Sequence, residues 1–366
     1  MIRRYRNSLL ILTMLAVMVF AAEAEEKKYT WAGIERIVAV GDVHGDYDQF
    51  VKVLRAASVI DGKDKWIAGK THLVQIGDVL DRGPDSRKAM DLLMSLEKQA
   101  KEAGGKVHAL IGNHEAMVCM GDWRYVHPDE YEALGGNEEF GKAMNPDGKY
   151  GKWICSHNAI IRINRILFVH GGLSPEYADK SLKEMNEKVR EEIKKKSMTR
   201  ESIIGDPAGP LWFRGFAMSP EERTLEEIEE VLKKKKAYRM IVAHTPSTEG
   251  IRALYGGLVI VVDVGMSKHY GGPAQCLVIE QGKYYVVSPD GKKKLDVGKK
   301  ALEKKSAPAK KTEAQPYIIF RNSHLRTGST QSTVTCISRN KIRRVANDFS
   351  RGNLPMDPSS QLGCPS

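Results

Sequence analysis

Five times between residues 36 and 244, a short apolar run stops at a glycine or histidine. The runs are residues 36–40, 72–76, 106–111, 166–169 and 240–243, rich in Val, Ile, Leu and Ala. Their length and β-branched content predict buried strands. Residues 47–57, 86–103, 178–195 and 220–236 read as helices between them, with Asp46 placed to cap the first. Strands alternating with helices predict an α/β fold. Further on, residues 258–263, 276–280 and 283–287 come without helices between them and predict an antiparallel closing section, Gln281-Gly282 making a hairpin turn. The connection at 117–153 is long, and its Trp123, Tyr125, Tyr131, Phe140 and Trp153 predict an ordered insertion.

The residues just after each run matter most. Asp42 and His44 come after the first, in Gly-Asp-Val-His-Gly. Asp78 comes after the second in Gly-Asp-Val-Leu-Asp-Arg-Gly, and Asn113 and His114 after the third in Gly-Asn-His-Glu. His170 comes after the fourth in His-Gly-Gly, and His244 after the fifth in Ala-His-Thr-Pro. One histidine at a strand end is usually a hydrogen-bonded or surface residue, and one Gly-Asp is usually a turn. Repetition after every core strand is not explained that way. Ligands of α/β sheets bind at the carboxyl ends of the strands, and each run delivers a metal-competent side chain there.

Carboxylate, imidazole and amide oxygen without thiolate suit divalent Mn, Fe, Zn or Co. One carboxylate can bridge two such ions about 3.5–4 Å apart, and the pair then acidifies a shared water to give a hydroxide nucleophile near neutral pH. Phosphate needs positive charge besides the metals, and the planar fork of arginine matches it. Arg82 lies directly after Asp81, and Arg214 stands in Leu-Trp-Phe-Arg-Gly. A leaving alkoxide gains from a proton donor; His114 is adjacent to the candidate ligand Asn113, and Asp81 is placed to orient it.

These segments resemble the calcineurin-like metallophosphoesterases, specifically their phosphoprotein phosphatase branch. The shared pattern is GDxHG, GDxxDRG, GNHE, HGG and a late histidine, here spread over residues 37–288. The resemblance implies two mixed β-sheets flanked by helices, with metals at the sheet edge. It assigns Asp42, His44 and Asp78 to one metal and Asp78, Asn113, His170 and His244 to a second. It makes His114 with Asp81 the general acid pair, and Arg82 and Arg214 the phosphate clamps. Within the branch the chain is similar to the Shewanella-like protein phosphatases, through MVCMGDWRYV after GNHE, then GPLWFRG, AHTPS and VVDVGMS. That similarity implies a phosphorylated protein or peptide substrate, with phosphotyrosine favoured over phosphoserine and phosphothreonine. The other readings are a hydrolase of small phosphoesters or dinucleoside polyphosphates, and a polyanion-binding protein acting through its basic tail.

That tail carries the net charge of +11. Residues 291–366 hold 16 Lys and Arg against five Asp and Glu, whereas residues 25–290 are nearly neutral. Basic tails of this composition are usually solvated and disordered, so nucleic acid is not an expected partner. At the other end, Arg3, Arg4 and Arg6 precede an apolar stretch at residues 9–20, with Ala22-Glu23-Ala24 just beyond it. This is the pattern of a secretory signal peptide, shorter than the roughly 20 residues of a membrane span. The expected plan is a signal peptide at 1–24, a catalytic domain at 25–290 and a basic tail at 291–366. The protein is expected to be exported, without stable membrane insertion once the leader is cleaved, and anchored if it is not. Five scattered cysteines (Cys119, Cys155, Cys276, Cys336 and Cys364) lack metal-ligand spacing, and buried free thiols are expected.

Overall fold

The structure, a computed structural model, describes residues 28–199 and 201–298. Its strands are β1 (Thr30–Trp31), β2 (Arg36–Val40), β3 (His72–Gln75), β4 (Lys106–Ala109), β5 (Ile160–Ile163), β6 (Ile166–Val169), β7 (Arg239–Val242), β8 (Arg252–Leu254), β9 (Val259–Val261), β10 (Cys276–Glu280), β11 (Lys283–Ser288) and β12 (Gly291–Lys294). They form two six-stranded sheets, in the orders β12-β11-β10-β2-β3-β4 and β1-β5-β6-β7-β9-β8. Both are mixed. β2, β3 and β4 run parallel in one, and β6, β7 and β9 run parallel in the other.

Burial on both faces explains the continuous apolar runs. Along β2, Ile37 and Ala39 point to one side and Val38 and Val40 to the other, all at most 1% exposed. Ile37 and Ala39 join Val74, Phe168, Ile241 and Ile260 in a core shared by the two sheets. Val38 and Val40 pack into a second core that includes helix residues Phe50, Leu54 and Leu93. The helices Tyr47–Ala56 and Ser86–Glu102 come after the first two parallel strands, and the first is capped by Asp46, whose carboxylate accepts from Gln49 N–H at 3.1 Å. The two-sheet architecture implied by the family resemblance is the one observed.

Several expectations need correction. β5 was not foreseen; it pairs antiparallel with β6, so the third and fourth polar-tipped runs are not consecutive strands. β9, expected in an antiparallel closing section, runs parallel to β7, while β10 and β11 are antiparallel as expected. β12 pairs with β11, and Arg239 donates to the Val297 carbonyl, so the ordered fold passes the boundary expected at residue 290. The helix expected over 220–236 is a 3-10 turn, Pro220–Glu222, and then Leu225–Lys234. Thr224 starts the second part with a capping box, accepting from Glu227 N–H while the Glu227 carboxylate accepts from Thr224 N–H.

The long connection at 117–153 is ordered, as its aromatic content suggested. It carries helices Pro128–Ala133, Asn137–Met144 and Lys149–Ile154, with the Trp123, Tyr131 and Phe140 rings mutually packed 5.0–6.3 Å apart. Cys119, Cys155 and Cys276 are buried free thiols. Cys336, Cys364, the expected leader and the basic tail beyond residue 298 lie outside the described residues. Among the described residues, no helix is long and apolar enough to cross a membrane.

Candidate metal centre

The carboxyl ends of β2, β3, β4, β6 and β7 meet at one edge, and the loops there are bonded to one another. Val43 and His44 both donate backbone N–H to the Asp78 carbonyl at 2.9 Å, and Gly83 N–H donates to the His44 carbonyl at 3.0 Å. The approach leaves no room for side chains. A Cβ on Gly112 would lie 2.2 Å from Asp78 Oδ1, and one on Gly45 would lie 2.3 Å from the Gly83 carbonyl oxygen. Backbone strain collects at the same place. His44, Asp78, Asp81, Arg82 and His244 all have positive φ, between 47° and 72°. A left-handed conformation disfavours residues with a Cβ, at about 1–3 kcal/mol each, and such strain clusters at functional sites.

The loops turn their donors onto Asp78. Its Oδ2 lies 3.2 Å from His170 Nε2, 3.8 Å from His114 Nε2 and 3.9 Å from His44 Nε2. His170 Nε2 is also 2.9 Å from Asn113 Oδ1 and 3.1 Å from His244 Nδ1. Backbone carbonyls set two of the imidazoles: His170 Nδ1 donates to Ile76 O at 2.7 Å and His44 Nδ1 to Leu80 O at 3.0 Å. The Nε2 of each is therefore left facing the centre. Asp42 completes the edge, with Oδ2 3.7 Å from His44 Nε2 and Oδ1 accepting from His244 N–H at 3.2 Å.

This donor set fits divalent cations. His170 Nε2 lies 2.9–3.2 Å from donor atoms of Asp78, Asn113 and His244, the ligand–ligand spacing of a cation with bonds of about 2.0–2.2 Å. Two groups of donors, His44 with Asp78 and His114, and Asp78 with His170 and His244, each fall within 4.8 Å. Asp78 belongs to both. Burial alone would push its carboxyl up, but His170 and His114 outweigh that and hold it well below the usual carboxylate range. Burial keeps His44 neutral, lowering it to about 4, and with the His170 and Arg214 charges holds His244 well below the ordinary imidazole value. Neutral imidazole is the form that binds metal, so His170, which Asp78 raises above its ordinary value against the pull of burial, would shed its proton on binding.

His114 behaves differently. Its Nδ1 contacts Asp81 Oδ2 at 2.5 Å. Burial favours loss of its proton, but Asp78 and Asp81 prevail and raise the imidazole above its ordinary value. Geometry alone would admit His114 as a ligand; the Asp81 contact favours a proton donor. Arg214 lies beside His244, donating to its carbonyl, with Nη2 3.4 Å from Nδ1. Arg82 lies in the Asp78 loop, its Nε buried without a partner.

All ten residues singled out in the sequence thus gather at one edge. Others escaped notice. Glu115 accepts from Asp78 N–H at 2.8 Å, Val79 N–H at 2.8 Å and Gly112 N–H at 2.7 Å, tying two ligand loops together. The Gly-Asn-His-Glu segment contains it, but nothing local marks it as a loop clamp. Asp263, just beyond β9, is 1% exposed and bonds to Asp42, which burial and the Asp263 and Asp78 charges push up. The signal was its position after a strand, masked by the antiparallel reading of that strand. Tyr125 and Tyr270 border the centre, 5.4 Å from the His114 ring and 5.6 Å from the His44 ring.

The profile of the calcineurin-like phosphoesterase family matches residues 35–277. An uncharacterized protein of Schizosaccharomyces pombe is 36% identical over 258 residues, covering 67% of this chain and 77% of its own. Shewanella-like protein phosphatase 2 of Arabidopsis thaliana is 31% identical, covering 64% of this chain and 72% of its own. Among solved structures, the cold-active protein-tyrosine phosphatase of a psychrophilic Shewanella species superposes with a TM-score of 0.66 at 32% identity, over 73% of this chain and 82% of that one.

Proposed function

The chain belongs to the calcineurin-like phosphoesterases and is a metal-dependent phosphatase, and we propose that its substrates are phosphorylated proteins, with phosphotyrosine favoured. The observation that carries the metal-dependent chemistry is Asp78, whose single carboxylate belongs to two groups of donors. In our reading Asp42, His44 and Asp78 hold one divalent cation, and Asp78, Asn113, His170 and His244 hold a second, as Mn, Fe or Zn. Such a pair, when bound, supplies an acidified water and positive charge for the phosphoryl oxygens.

The chain's own groups do the rest. Arg82, whose buried Nε has no partner, and Arg214, set beside His244, bring positive charge to the phosphoryl oxygens in this reading. His114, oriented through Nδ1 by Asp81, presents Nε2 to the centre and gives its proton to the departing side-chain oxygen. Burial of Asp78, His170 and His244 to 3% exposure or less keeps bulk water from screening these charges. The substrate class is supported by the phosphatase relatives, two of which are described as acting on proteins or phosphotyrosine. Residues 1–24 serve, in the same reading, as an export leader.

The test is hydrolysis of phosphotyrosine, phosphoserine and phosphothreonine peptides by the mature chain, with Mn²⁺ added and then chelated. Chelator-sensitive release, fastest from phosphotyrosine, is expected. Cleavage of small phosphoesters or dinucleoside polyphosphates but of no peptide would overturn the protein-phosphatase reading. Deleting residues 299–366 is expected to leave hydrolysis unchanged.

A further inference from the structure

Arg82 is held in a way the donor loops do not account for. Its φ is +69°, so its backbone is strained, and a backbone bond ties it to the connection beyond the Asn113–Met120 helix. Arg82 N–H donates to the Tyr125 carbonyl at 2.9 Å. The guanidinium carbon lies 4.0 Å from the centroid of the Tyr125 ring. Arg124 lies 5.7 Å from the same ring and is fixed by Asp122, with Nε 2.9 Å and 3.1 Å from the two carboxylate oxygens. Tyr125 therefore has two guanidinium neighbours, Arg82 stacked close on the ring and the exposed Arg124 farther from its centroid. Its ring also stands 5.4 Å from that of His114.

The segment itself is anchored. Trp123 Nε1 donates to the Val118 carbonyl at 3.0 Å, and its ring packs on Phe140 and Tyr131. Val126 N–H donates to the Trp123 carbonyl at 3.1 Å, closing a turn that carries Tyr125 at its second-to-last position. A flat aromatic face behind a guanidinium removes much of the rotational freedom of arginine and leaves its in-plane N–H groups free for a ligand. The unpartnered Arg82 Nε is one of those groups.

We propose that Tyr125 is a positioning residue for phosphate recognition: it backs Arg82 so that the guanidinium fork meets the phosphoryl group already oriented. Arg124, held by Asp122, supports the same ring. The proposal deepens the phosphatase reading and rests on it, but it concerns the phosphoryl group alone and is indifferent to whether a peptide carries it.

The test uses the full mature chain loaded with Mn²⁺. Tyr125→Leu removes the aromatic face and Tyr125→Phe keeps it. Inorganic phosphate, as a competitive inhibitor of aryl phosphate hydrolysis, reports on Arg82 directly. Loss of a cation–π support of this kind is worth about tenfold in binding. Tyr125→Leu is therefore expected to raise both the phosphate inhibition constant and KM about tenfold, with a smaller change in kcat, while Tyr125→Phe restores both. In an Arg82→Ala background, Tyr125→Leu is expected to add nothing. Unchanged phosphate affinity in Tyr125→Leu overturns the proposal, as does an undiminished effect without Arg82. Should Tyr125→Leu not fold, Asp122→Ala, at a half-buried position, frees Arg124 instead, and there an inhibition constant raised less than about twofold overturns it. Failure on phosphopeptides would sink the protein-phosphatase reading and leave this measurement intact.

Discussion

Glu115 holds Asp78 from behind: its Oε2 accepts the Asp78 backbone N–H at 2.8 Å while also accepting Gly112 N–H at 2.7 Å. Its Oε1 takes Val79 N–H at 2.8 Å. One buried carboxylate thus satisfies donors from the loop after β3 and from the start of the Asn113–Met120 helix. Glu115→Ala leaves these N–H groups buried without acceptors, at about 1–3 kcal/mol each. The expected loss is roughly 3 kcal/mol or more, measured by urea unfolding in chelator so that metal binding does not contribute. A loss under about 1 kcal/mol would mean that the loops find other acceptors.

The Asp81–His114 contact predicts a dependence on the leaving group. With His114→Asn, turnover of an alkyl phosphate should fall about 100-fold or more, because its alkoxide needs a proton. An activated aryl phosphate, which leaves unaided, should lose far less. Asp81→Asn should show the same pattern more weakly. Parallel kcat measurements on both substrates decide it, and equal losses would remove His114 from the role of acid.

How much of this was legible depended on whether chemistry or packing had chosen the residues. The metal-competent side chains could be read because each sits directly after a strand and few residue types can replace it. The two sheets could not. β2 is buried on both faces, and a strand in that position gives the same unbroken apolar run in one sheet or two. β5 was missed because its hairpin to β6 turns on Asn164 and Arg165, both at positive φ (49° and 62°) without the glycine that marks such turns. Asp263 was passed over because strand direction is not written locally: only its pairing with β7 shows that β9 ends at the metal edge. Tyr125 lies 43 residues from Arg82, and no spacing rule joins them.

Asp78 is the side chain common to both donor groups, so its removal should empty both. Asp78→Ala is expected to retain less than one Mn²⁺ per chain after dialysis, by elemental analysis. His244→Ala, touching only one group, should keep about one. Two metals retained on Asp78→Ala would dismiss the shared-ligand assignment.

A last prediction concerns Glu130, which belongs to the 117–153 connection and not to the metal edge. It is 1% exposed, and its carboxylate accepts from Ser86 and Arg87 N–H at the start of the Ser86–Glu102 helix. Burial raises it from 4.5 to about 7, although those backbone bonds pull the other way. Between these values the folded chain keeps a proton that the unfolded chain has released. Raising the pH through that window therefore lowers stability, and above about 7 the loss is complete. Its size is on the order of 3 kcal/mol. Glu130→Gln has no proton to lose, so its unfolding free energy should fall by about 2 kcal/mol less than that of the parent between about pH 5 and pH 8. Taking the difference between variant and parent, both in chelator, cancels the titration of every other group. Parallel pH profiles would show that Glu130 is ionised throughout, its charge held by the helix N-terminus that it caps.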